Sequence, residues 1–169
     1  SSILMNTFLD KSYEVPEAKS NYFRFQEGDN RFRVLSSAIV GWEYFTVQNK
    51  PVRSETPFEG TPKDIKENGK IKHFWAFVCY DYQSESIKIL AITQVSIMEA
   101  VKALIDNPKW GNVFMYDINV GRTGEGLETK YTVQPEPPIR EVGDDIKGKY
   151  LAAKIDLNKL YTGENPFTE

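Results

Sequence analysis

The chain is poor in the residues that hold small scaffolds together or bind transition metals. It has a single cysteine, Cys79, and a single histidine, His73, among 169 residues. One cysteine excludes an internal disulfide framework, and one of each excludes a Cys/His zinc cage. No apolar run approaches the ~20 residues of a membrane-spanning helix. The first eight residues have no basic start and only a short apolar stretch, so no export leader is expected there. With no disulfides, this favours a cytoplasmic setting. Excess charge of one sign is also missing. The net charge is −3, with 21 basic and 24 acidic residues, so gross charge does not single out a polyanionic partner.

Aromatic side chains, by contrast, are abundant: ten Phe, nine Tyr and three Trp make up 13% of the chain. Charge is unevenly placed. Both ends carry the negative excess, whereas four of the six arginines, Arg24, Arg31, Arg33 and Arg53, fall within one stretch of thirty residues. Prolines mark boundaries. Pro51, Pro57 and Pro62 sit in a polar stretch, residues 50–70, that reads as a long loop. Pro135, Pro137 and Pro138 read as an extended linker. These features divide the chain into an N-terminal arm (1–21), a central domain (22–134) and a Pro-rich linker with a C-terminal docking tail (135–169).

Periodicity in the central domain is mostly that of strands. Arg31–Thr46 reads as one long strand, with Ser36, Ser37 and Gly41 permitting a bulge or sharp coil. Lys72–Tyr82 is apolar on both parities, and Ser86–Thr93 follows after a turn at 83–85. Ile97, Met98, Val101, Leu104 and Ile105 share one helical face, which predicts a helix near 95–106. Thr93 or Ser96 can cap it, Ser96 with Glu99 also fits a capping box, and Asp106-Asn107-Pro108 stops the helix. Val113–Gly121 and Glu128–Gln134 form a closing hairpin around the Gly-rich turn 122–126. The expected fold is mainly β: an OB-fold-like five-stranded barrel, with one helix between the third and fourth main strands and extensions at both termini.

Catalytic and cofactor motifs are scarce. Cys79 and His73, six residues apart on one strand, would lie ~20 Å apart, beyond any nucleophile–base bond. The string GRTGEG at 121–126 lacks the Lys-Ser/Thr ending of a phosphate loop and leads into a strand. Asp64, Asp81, Asp106 and Asp117 are scattered with no metal-ligand spacing. No cofactor, metal or enzymatic activity is expected.

What the chain does interleave is aromatic and basic residues, the combination that single-stranded nucleic acid needs. Bases stack on rings at about 1–3 kcal/mol each, while Lys and Arg follow the phosphates. The candidate binding residues are Arg31, Arg33, Trp42, Tyr44, Lys50, Arg53, Lys72, Phe74, Trp75, Tyr80, Tyr82, Arg122 and Lys130. Alternation places Arg31 and Arg33 together on the face opposite Phe32 and Val34. On the strand 72–82 alternation leaves the choice open, since either parity is apolar enough to face inward; Phe74, Tyr80 and Tyr82 are placed outside because a second tyrosine near the strand end makes poor barrel core. Arg122 would clamp a strand from the tip of the closing hairpin.

The strings YFRFQEGDNRFRVLSSAIVGWEYF, HFWAFVCYDY, ILAITQ and YDINVGRTGEGLETKYTV, within Tyr22–Val133, resemble phage-type single-stranded-DNA-binding replication proteins with an OB-fold. The resemblance implies a protein that coats unwound DNA without sequence preference in replication, recombination or repair, and that recruits replication or recombination partners. Such proteins often end in an acidic tail, whereas Asp156–Glu169 is only mildly acidic. RNA is an alternative ligand, because stacking does not read the 2′-hydroxyl. A non-catalytic β-barrel interaction module of a phage or regulatory assembly is the alternative function, and a DNA-processing nuclease a more distant one.

Overall fold

The computed structural model describes residues 8–9 and 20–168, so most of the expected N-terminal arm lies outside the described residues. The protein is mainly β. Seven antiparallel strands form one open sheet: β1 (Gly28–Val34), β2 (Ile39–Phe45), β3 (Pro51–Ser54), β4 (Lys72–Asp81), β5 (Ser86–Ile92), β6 (Asp117–Thr123) and β7 (Lys130–Glu136). The helices are α1 (Val95–Asp106), α2 (Asp144–Ala153) and α3 (Lys159–Thr162). No helix among the described residues is long and apolar enough to cross a membrane.

The long strand expected over 31–46 is two strands, β1 and β2, separated by a break at the serines. The Ser36 hydroxyl accepts the Val78 amide at 2.8 Å and Leu35 N–H donates to Val78 O at 2.9 Å, which holds the bend against β4. As a result β4 has two partners on one edge, β2 along its first half and β1 along its second, with β5 on the other edge. β6 pairs with β1 and β7 with β6. β3 lies inside the stretch expected to be loop, as the return arm of a short hairpin with β2. Gly41 is required where these strands meet, because a Cβ there would lie 2.2 Å from the Ser54 carbonyl oxygen.

A five-stranded closed barrel needs β5 to pair with β7, and these two strands are not neighbours in the sheet. Residues 21–23 take the free edge of β5 instead: Phe23 N–H donates to Ile89 O at 2.9 Å, and Ile89 N–H to Asn21 O at 3.0 Å. Phe23 then enters the core, and Phe25 meets Tyr131 of β7 with ring centroids 5.8 Å apart.

The main core gathers Phe32 and Val34 from β1, Phe77 and Cys79 from β4, Leu90 and Ile92 from β5, Ile118 and Val120 from β6, and Ile97, Met98 and Val101 from α1. The inner parity of β4 is therefore that of Phe77 and Cys79, and the Cys79 thiol is a packing group whose pKa burial drives upward. α1 has the expected bounds, but Gln94 is its N-cap and its side chain makes no capping bond to the helix, so the capping box does not form. Ile105 falls off the buried stripe and is 43% exposed.

The C-terminal region folds onto the opposite face. Leu160 is buried with Phe74, Ala76 and Ile89, and Ile155, Leu157, Tyr161 and Phe167 pack around them. Tyr161 Oη donates to Val40 O at 2.6 Å. These contacts reach β2, β4 and β5.

A candidate nucleic-acid interface

Alternation along β1 sends Arg31 and Arg33 to the outer face, as expected, but they do not project freely. On β6, Ile118 and Val120 face the core, which turns Asp117 outward and beneath both arginines. Arg31 Nη2 reaches Asp117 Oδ2 at 2.8 Å, Arg33 Nε reaches Oδ1 at 2.6 Å, and Tyr82 Oη donates to Oδ1 at 2.7 Å. Arg33 Nη1 also donates to the carbonyls of Phe114 (3.0 Å) and Arg140 (2.8 Å). Arg33 is only 4% exposed, so as a residue that would track phosphates in a surface groove it is corrected to a buried tie between the sheet and residues 114 and 140. Arg31 keeps a 44% exposed side chain and lies over the Tyr82 ring at 5.5 Å.

Burial and the bond to Asp117 together raise the Tyr82 pKa to about 12. Burial also raises Tyr80 and Tyr116. A group whose folded pKa is raised favours the fold while protonated. That contribution is intact below the unfolded phenol value of about 10 and is lost as pH rises through the folded one. The thermal midpoint is expected to fall between about pH 10 and 12, and Tyr82→Phe to flatten that fall, as followed by circular dichroism melts.

The aromatic candidates separate by face. Phe74 is fully buried, and Tyr80 is 6% exposed with Lys149 of α2 over its ring at 5.7 Å. Both have the outer parity expected of them, but the C-terminal region covers that face, so they are corrected from open stacking platforms to covered side chains. Tyr44 is also corrected. It is 7% exposed, donates to Asp64 Oδ1 at 2.8 Å and meets Phe58 at 5.1 Å, so it anchors the 46–71 excursion. Trp75 packs against the main core. Trp42 is half-buried on that same parity, with its ring 5.2 Å from His73.

Among the basic candidates, Arg53 is half-buried. It pairs with Glu43 at 3.1 Å and lies over the Phe74 ring at 5.6 Å. Arg122 Nη1 donates to Phe25 O at 3.2 Å and its Nε is buried without a partner, so it ties residues 21–25 to β6 more than it clamps a ligand. Lys50, at the β2–β3 turn, and Lys130, at the start of β7, are exposed.

One groove brings exposed cations together. It has a volume of about 580 Å³ and runs between β2, the start of β4 and the end of the 46–71 excursion, with Phe45, Asn49, Lys66, Lys70 and Lys72 on its walls. Phe45 is 39% exposed. Two carboxylates share the lining, but Glu43 is already held by Arg53. Lys66 Nζ donates to Asn49 Oδ1 at 3.2 Å, which joins the two sides of the excursion. Of the sequence candidates only Lys72 and Tyr44 line this groove, and Tyr44 is committed to Asp64. Lys66, Lys70 and Phe45 were missed. The available signal was four lysines within ten residues, Lys63, Lys66, Lys70 and Lys72.

Comparison of the chain with protein-family models, curated proteins and solved structures finds no match. The groove therefore has to be interpreted from its own chemistry. Among the described residues no three His, Cys, Asp or Glu side chains converge to hold a metal ion.

Proposed function

We propose that this protein binds single-stranded DNA without sequence preference, in phage-type replication, recombination or repair within a host cytoplasm, sharing the strand with replication or recombination proteins. The observation that carries this reading is the groove on the outer face of β2 and β4. It offers three lysine ammoniums, an exposed phenylalanine ring and only one carboxylate not already neutralised by an arginine. Phosphates need the first, an unpaired base needs the second, and neither reads sequence.

The strand order supports the same reading. With β1 and β2 taken as one bent strand, the pairings β1–β4, β4–β5, β1–β6 and β6–β7, with α1 after β5, follow an OB-type order. In that order the 46–71 excursion is the loop that borders the ligand face. Residues 21–23 stand where the last pairing would close the barrel.

The direct test is a fluorescence-anisotropy titration of labelled oligo-dT at several salt concentrations. Binding that weakens linearly in log–log form as salt rises is expected, with oligo-dT and mixed-sequence strands within a few-fold of each other. No binding at low salt, or binding to duplex alone, overturns the proposal. A parallel titration with oligo-U reads the preference between DNA and RNA.

A further inference from the structure

We propose a second binding site, for a phosphate group, in the cleft between the outer face of β1 and β6 and the segment 138–146. The cleft has a volume of about 290 Å³ and is lined by three arginines, Arg31, Arg33 and Arg140, together with Tyr82 and Gly143. Arg33 is the fixed element. At 4% exposure, with Nε on Asp117 and Nη1 on two carbonyls, its guanidinium cannot swing away, and Nη2 is the donor those bonds leave over. Arg31 is fixed in a similar way through Nε and Nη2, both on Asp117 Oδ2, which leaves Nη1. The Arg140 backbone is pinned by Arg33 at its carbonyl and by Met115 O at its amide, while its side chain is exposed. A tetrahedral oxyanion fits such a set because guanidinium forks pair with phosphate oxygens through charge-assisted bonds.

Two acids also line the cleft, and neither is idle. Asp117 already accepts from Arg31, Arg33 and Tyr82, and Glu141 is held by Lys147 at 2.9 Å. The first turn of α2 carries Asp144 and Asp145, so the arginines, not the helix end, supply the attraction. The site is separate from the lysine groove and does not require the single-stranded-DNA reading. Its ligand is a phosphate, borne either on the end of a nucleic acid or on a free nucleotide.

The test uses inorganic phosphate as the probe, at ionic strength matched with chloride, in thermal melts of wild type, Arg140→Gln and Arg31→Gln. Phosphate is expected to raise the wild-type midpoint above that in chloride, because a ligand that binds only the folded state stabilises it. The apparent affinity is expected to fall roughly tenfold or more in each variant, through loss of a charge-assisted partner. Arg140→Gln keeps the backbone bonds, so its midpoint in chloride should match wild type and its phosphate response stays interpretable. The proposal is overturned if phosphate does no more than chloride, or if both variants respond as wild type does. Two further titrations separate the sources. Tighter binding of 5′-phosphorylated than 5′-hydroxyl dT, lost in Arg140→Gln, assigns the phosphate to a strand end; thymidine monophosphate binding with no such preference assigns it to a free nucleotide. Oligo-dT binding that survives while the phosphate response is absent sinks this site alone, and the reverse result sinks the groove reading alone.

Discussion

Asp117→Ala is expected to cost about 3–5 kcal/mol of stability, the range for removing one partner of a buried ion pair. The carboxylate is about 5% exposed and accepts from Arg31, Arg33 and Tyr82. Without it Arg33, equally buried, keeps its charge but retains only the carbonyls of Phe114 and Arg140. Urea unfolding should show the loss as a lower midpoint at unchanged slope. Arg31→Ala gives the contrast. Its side chain is 44% exposed, so its contribution should be nearer 1 kcal/mol or less. Combining Asp117→Leu with Arg33→Met should recover part of the loss, because a buried pair replaced by apolar groups no longer leaves one charge alone. The recovery will be incomplete, since Arg33 also satisfies the two carbonyls. If Asp117→Ala loses less than about 1 kcal/mol, the cluster is solvated in solution and Arg33 does not tie residues 114 and 140 to the sheet.

This cluster shows how far the sequence could be read. The alternation of Arg31-Phe32-Arg33-Val34 correctly separates an inner from an outer face, because parity is a property of each strand by itself. What an outer face meets is a property of distant pairing. Arg33 and Asp117 are 84 residues apart in the chain, and the β1–β6 register is what brings them together. The α1 stripe was legible for the same local reason, and its cap was not, since Gln94 takes the position that the Ser96–Glu99 spacing suggested for serine. Phe74 and Tyr80 failed as open platforms because nothing in their own strand reveals that residues 155–167 fold back over Phe74 and that α2 sets Lys149 over the Tyr80 ring. The lysine groove was hidden for a related reason. Lys66 and Lys70 lie in a polar stretch that reads as loop, and the Tyr44–Asp64 bond and the Lys66–Phe45 backbone bond fold that stretch against β2. Asn30 is a smaller case. Its side chain bonds Gln26, Gly28 and Val120, so a residue typical of turns becomes a buried part of β1.

The groove makes the other large prediction. Lys66→Ala, Lys70→Ala and Lys72→Ala combined should weaken oligo-dT binding about 100-fold at 0.1 M salt and flatten the log–log salt slope by about 2. Both figures follow from about 0.7 counterions released per neutralised phosphate on a single strand. The fold should persist, because all three lysines are exposed, and of their ammoniums only that of Lys66 bonds a side chain among the described residues, that of Asn49. Phe45→Ala should act differently. It removes a stacking face without removing charge, so affinity should fall about 5- to 150-fold, as loss of roughly 1–3 kcal/mol implies, with the slope unchanged. The pair of outcomes distinguishes a groove that follows phosphates and bases from a patch that attracts DNA by charge alone. In the second case the lysine variant flattens the slope and Phe45→Ala changes nothing. If neither variant alters affinity or slope, the strand runs elsewhere on the protein, and the exposed Arg31, Lys50 and Lys130 become the next positions to substitute.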